Sequence, residues 1–143
     1  MNRDITEIIC HCSRDTAKSD HIDIKAIDRR HRLEQRLSVG YHFLIKRCGT
    51  MQAGRPVAQP GLHTRGRNKT SIAICLVGGV DAAGKPQENF TNNQMASLKD
   101  LIQQLLALYP SAEVKGHRDY DTKHFCPSMD VGAWWKEQTN GQD

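Results

Sequence analysis

The sequence predicts an α/β fold, a single domain with a central mixed β-sheet flanked by helices. Short runs rich in β-branched apolar residues, ITEIICHC at 5–12 and SIAICLV at 71–77, alternate with segments whose apolar residues recur every three to four positions. The second run is apolar nearly throughout, as a strand covered on both faces must be. A chain of 143 residues suffices for one domain, 1–143, with a continuous core, and is short for two.

Residues 5–12 read as the first strand, with Ile9 and His11 on one face and Ile8 and Cys10 on the other. Ser19 or Asp20 is expected to cap a helix whose inward stripe is Ile24, Ile27 and His31. Tyr41 to Lys46, the Gly49-Thr50 turn and Met51 to Gly54 form a hairpin pattern. The stretch PVAQPGLHTRGRNKT from Pro56 to Thr70 resists both helix and strand, and irregular segments of this length in small domains commonly carry function. After the strand at 71–77, Thr91 to Gln94 has the form of a capping box. Met95, Leu98, Ile102, Leu105, Leu106 and Tyr109 then follow at helical spacing until Pro110 stops the helix. Ala112 to Lys115 is a short fourth strand, and Val131 to Glu137, with Trp134-Trp135, a terminal helix.

Lys and Arg exceed Asp and Glu by 20 to 16, a net charge of +4 that favours anionic partners without choosing among them. No groove-reading motif is visible, so direct nucleic-acid binding is not expected. Five cysteines without framework spacing argue for folding in a reducing compartment. The start, MNRDITEIICHC, lacks the apolar core of a signal peptide, and no run approaches the ~20 apolar residues of a membrane span. Synthesis in the cytoplasm without membrane insertion is therefore expected, as a monomer. A target outside that compartment would require another protein to open the membrane.

The chemistry points to two distant segments, His11-Cys12 and Gly116-His117 through Cys126-Pro127. In α/β sheets ligands gather beyond the carboxyl ends of the strands, and the strand assignments deliver His11 and His117 to such ends. Two imidazoles and a thiolate can hold zinc and leave a fourth tetrahedral position for water, the arrangement of a catalytic site. A lone histidine would carry little weight, and His31 on the inward helical stripe reads as a satisfied core residue. Cys126, in a polar and basic stretch, suits a cation-stabilised thiolate better than a buried structural thiol, while Cys10, Cys12, Cys48 and Cys75 read as small hydrophobes. A cysteine hydrolase using Cys126 with His117 or His124 is the competing chemistry.

His11-Cys12-Ser13, Val39-Gly40-Tyr41-His42-Phe43, Ala53-Gly54-Arg55, Ser71-Ile72 with Leu76-Val77-Gly78-Gly79, and Gly116-His117 through Cys126-Pro127-Ser128 resemble the zinc-dependent N-acetylmuramoyl-L-alanine amidases. The likeness is closest to their bacteriophage T7 lysozyme branch, which is related to peptidoglycan recognition proteins. It runs in family order from about Ile5 to Trp135.

The resemblance implies that His11, His117 and Cys126 are zinc ligands, that Tyr41 is catalytic, and that a lysine shortly before Cys126 assists. It sets His63 beside the substrate groove. It implies peptidoglycan as substrate, a phage-type endolysin as role, and a phage RNA polymerase as a partner on resemblance alone. The alternatives are a cytoplasmic wall-recycling amidase and a non-catalytic peptidoglycan-binding or polymerase-regulating module. The family pattern has its lysine two residues before the cysteine, where this chain has His124; Lys123 stands three before and is the preferred oxyanion partner, with His124 its competitor. Ala73 stands where relatives often have glycine, a change of strand packing. Arg65, Arg67 and Lys69 read as a solvated basic loop, with contact to an anionic polymer as the sharper alternative.

Overall fold

A five-stranded sheet in the order β3-β2-β4-β1-β5 organises the computed structural model, which describes residues 3–121, 123 and 125–140, the side chain of Asn140 excepted. Its strands are β1 (Glu7–Cys12), β2 (Phe43–Ile45), β3 (Met51–Ala53), β4 (Ser71–Leu76) and β5 (Glu113–Gly116). The helices are α1 (Ile24–Leu33), α2 (Asn92–Leu108) and α3 (Val131–Asn140). Only the β2-β3 pair is antiparallel, so the sheet is mixed, as the alternation of elements predicts.

β1 and β4 are buried along their whole length, which their continuous apolar runs require of the two most central parallel strands. The two-residue side-chain period divides them between different surroundings. Ile8, Cys10, Ile72, Ile74 and Leu76, with Ile45 of β2, pack against Leu98, Leu101, Ile102 and Leu105 of α2 and Val131 of α3. Trp134 and Trp135 close the edge of this core. A smaller cluster joins Ile27 of α1 to Ile22, Val39, Leu44, Cys75 and Val77.

The helix termini follow local chemistry. Thr91 accepts from Gln94 N and Gln94 reaches back to Thr91 N, the predicted capping box. Gln94 also donates to the carbonyls of Ile45 and Val77, which ties α2 to two strand ends. The cap of α1 is Asp23, whose Oδ1 accepts from Ala26 N at 2.9 Å, and not Ser19 or Asp20. Ser19 is held in a preceding turn by donating to Thr16 O, and Ile22 must enter the core before the helix can begin. β2 is shorter than predicted, yet its hydrogen bonding reaches back to Tyr41: Arg55 N donates to Tyr41 O, and Gly54 N and His42 N bond to His42 O and Ala73 O.

The irregular stretch after β3 is well satisfied. Arg3 donates to the carbonyls of Val57, Asn68, Lys69 and Ser71 at 2.7–3.1 Å, and Asn68 Oδ1 accepts from the backbone of both His63 and Thr64. These bonds replace the ladder that this composition cannot form. They also lay His63 over the site end of the sheet.

Candidate metal centre

Strand register brings the first two candidate ligands together. β1 and β5 run parallel with Cys10 opposite Gly116, so His117, the next residue, emerges beside His11. Their ring centroids are 4.7 Å apart. Cys126 returns from the segment after the 3-10 turn His117–Asp119, anchored where Arg118 N donates to Cys126 O at 2.7 Å. His11, His117 and Cys126 each present a ligand atom, and all three atoms lie within 4.8 Å of one another.

Cys126 is 3% exposed, more deeply buried than its polar sequence neighbours suggest. Its sulfur sits under the end of β1, where Cys12 N–H donates to it at 3.0 Å and His11 Nδ1 lies 3.9 Å away. Cys12 is therefore more than a small hydrophobe, since it supports the candidate ligand. Gly79 makes room for it: the backbone there has φ +107°, and a Cβ would stand 2.7 Å from Cys12 Sγ. Its hydrogen bond with the adjacent Cys12 thiol, followed by burial, pushes the Cys126 thiol well above its ordinary range in the absence of metal. A cation bound at its sulfur would reverse that preference.

Hydrogen-bond directions fix the proton on His11. Arg67 O can only accept, and it takes the Ser71 hydroxyl hydrogen at 2.7 Å. Ser71 Oγ then accepts from His63 Nε2 at 3.1 Å, which leaves His63 Nδ1 as acceptor for His11 Nε2–H at 2.9 Å. The bare lone pair of His11 is on Nδ1, the nitrogen that faces Cys126. Burial, followed by the neighbouring His63 and His117, holds His11 well below the ordinary imidazole range, so it stays neutral as a ligand must. His63 is lowered to about 3, mainly by burial and then by His42.

Tyr41 completes the wall. Its ring centroid lies 5.1 Å from that of His11 and 5.3 Å from that of His31. Burial raises its phenol well above the ordinary value, with the thiols of Cys75, Cys126 and Cys12 adding to the shift, so it is a neutral donor. His31 is the satisfied core histidine its position predicts, accepting from Gly40 N at 2.9 Å. A cavity of about 240 Å³ is lined by His11, His117, Cys126, Tyr41 and His63, with Arg14 and Arg36 at its rim. Lys123 lines an adjoining cavity of about 140 Å³ beside Cys12 and Phe125. His124 lies outside the described residues.

Sequence reading missed three participants. Thr64 Oγ1 is 2.9 Å from His63 Nδ1 and 3.3 Å from His11 Nε2, a role foreshadowed only by its adjacency to His63. His42 is buried, accepting from Ala73 N and donating to Gln59 O. Glu7 is a buried acid in β1, on the strand face of His11 by the period of two. Arg67 is not simply solvated: it pairs with Glu7 and lies over Tyr120.

Three convergent donors that could hold a metal ion, one with its tautomer set by outer hydrogen bonds, thus stand at the carboxyl edge of an α/β sheet. The sequence model for N-acetylmuramoyl-L-alanine amidase matches residues 1–129, and the chain belongs to this family. It is 44% identical over 130 residues to the endolysin of Escherichia phage T7, covering 91% of this chain and 85% of that one. It is 41% identical over 135 residues to the endolysin of Klebsiella phage KP32, covering 94% and 88%. The N-acetylmuramoyl-L-alanine amidase LysC from Clostridium intestinale URNW superposes with a TM-score of 0.81 at 27% identity, over 96% of this chain and 87% of that one. Drosophila PGRP-LB shares the fold, with a TM-score of 0.75 at 22% identity over 94% and 81%.

Proposed function

We propose that this protein is a phage-type endolysin that hydrolyses the amide between N-acetylmuramic acid and L-alanine in peptidoglycan, with zinc held by His11, His117 and Cys126. The observation that carries the reading is the convergence of those three donors at the floor of one cavity within a chain of this family. The donor set suits zinc, since two imidazoles and a thiolate favour a tetrahedral, borderline-soft ion. Bound there, zinc would polarise the scissile carbonyl and activate water as nucleophile.

The chain's own residues supply the rest. Tyr41, kept neutral by burial, donates a hydrogen bond to the oxygen that gains charge as the amide carbon becomes tetrahedral. His63 holds the His11 proton at Nε2, and its place in the cavity wall lets it bound the substrate groove as well. Lys123 supplies a cation towards the same developing charge from the neighbouring cavity. Among the described residues no helix is long and apolar enough to cross a membrane, and the enzyme reaches the wall once another protein has opened one.

Digestion of intact sacculi followed by mass analysis of the released peptides tests the reading. Stem peptides with a free L-alanine amino terminus, released only when metal is present, are expected. Cleavage of soluble muropeptides with sacculi left intact would favour wall recycling over lysis.

A further inference from the structure

Glu7 opens β1 with a side chain that is 7% exposed, a costly place for a carboxylate without partners. Its Oε2 accepts the Tyr120 hydroxyl hydrogen. Its Oε1, without a hydrogen bond among the described residues, faces Arg67 Nη1 at 3.5 Å. The Arg67 guanidinium in turn lies 4.2 Å from the centroid of the Tyr120 ring. Three side chains, from the first strand, the basic loop and the segment after β5, close on one another.

Each leads to a candidate metal ligand. Arg67 O anchors the Ser71 hydroxyl, Ser71 receives His63 Nε2–H, and His63 receives His11 Nε2–H. Tyr120 N–H donates to His117 O at 3.0 Å, across the 3-10 turn that carries His117. Glu7 lies on β1, on the strand face that ends in His11. A pair between a buried carboxylate and a half-exposed guanidinium adds little net stability, so stability alone gives this group a weak rationale. A guanidinium that is both paired and stacked is held in one orientation, which suits a group that must fix the geometry of others.

We propose that Glu7, Arg67 and Tyr120 are positioning residues, a brace that holds His11 and His117 in register for the metal. The inference rests on the metal-centre reading above. None of the three is assigned contact with substrate; they act through His63 and through the backbone of the His117 turn.

The test measures metal binding directly. Zinc affinity by chelator competition, and the visible absorption of the cobalt-substituted protein, are compared for wild type, Glu7→Gln, Arg67→Met, Arg67→Lys, Tyr120→Phe and the Glu7→Gln/Arg67→Met double variant. Loss of a hydrogen-bonded partner of a ligating histidine weakens metal affinity by roughly 10- to 100-fold, and the brace lies one layer further out, so Glu7→Gln and Arg67→Met should each weaken it by about 3- to 10-fold. The double variant should lose no more than the weaker binder of the two, because both substitutions remove one shared interaction. Tyr120→Phe, which keeps the ring under Arg67, should lose less, and Arg67→Lys should recover part of the Arg67→Met loss. The cobalt bands should shift in the same order.

Wild-type affinity and unchanged cobalt spectra in Glu7→Gln and Arg67→Met, with only the melting temperature of the metal-free protein lowered, would overturn the brace and leave the metal centre standing. Wild-type protein that binds neither zinc nor cobalt would overturn both. If either full substitution fails to fold, Tyr120→Phe and Arg67→Lys decide on the same two readouts.

Discussion

The two faces of the β1-β4 pair use the same strands for opposite purposes. On one, Ile8, Cys10, Ile72, Ile74 and Leu76 meet α2 and α3 in an apolar core. On the other, alternate residues of the same strands present Glu7, His11 and Ser71, each buried and each in a hydrogen bond or ion pair that leads towards the candidate centre. Burial drives the first face, and its partners are interchangeable in kind. Burial of polar groups on the second face is a cost offset by specific partners, and it keeps His11 neutral. A side-chain period of two thus confines the polar groups to one face, where they stand beside the smaller apolar cluster of Ile27, Leu44 and Cys75.

Substitutions around the candidate centre and on the apolar face should therefore fail differently. Cys126→Ser should have the largest effect, abolishing both retained metal and peptidoglycan hydrolysis while the fold persists by circular dichroism. Tyr41→Phe should lower hydrolysis by about 10²- to 10³-fold, the loss of one positioned oxyanion donor, with metal content unchanged. Ile74→Ala, on the apolar face, should reverse the pattern: stability by denaturant unfolding falls by about 2–5 kcal/mol, while the folded fraction binds metal as wild type does. An Ile74→Ala variant of normal stability, or a Tyr41→Phe variant that loses its metal, would break the division.

A smaller effect is expected from pH. Burial lowers His42 to about 4, below the 6.5 of an unfolded histidine, so the unfolded state binds more protons between those values. Its contribution is present above about pH 6.5 and is lost as pH falls towards 4, by at most about 3 kcal/mol. His42→Gln should flatten that part of the stability profile of the metal-free protein. An unchanged slope would show that His42 is not held neutral.

The alternation of strand and helix, the capping box at Thr91 and the apolar stripe of α2 were legible because each rests on local chemistry and periodicity. His11, His117 and Cys126 were legible in part: strand ends could be read, but their meeting depends on the Cys10-Gly116 register, a long-range fact. The supporting residues were hidden for the same reason. Nothing near Glu7 in sequence reveals Arg67 or Tyr120, and Cys12 gains its role through a backbone N–H that points at a sulfur 114 residues away. The cap of α1 falls to Asp23 because Ser19, a good cap by type, is used in a preceding turn. The roles of Tyr41 and Lys123 came from resemblance. The structure adds a neutral phenol beside His11 for the first and a neighbouring cavity for the second.

The central claim, a single metal held by His11, His117 and Cys126 that is required for amide hydrolysis, is tested most directly by metal analysis of the purified protein coupled to digestion of sacculi before and after chelation. About one zinc per chain, loss of activity on its removal, and recovery on adding zinc back are the predicted results. Full activity in protein shown to be free of metal would contradict the account.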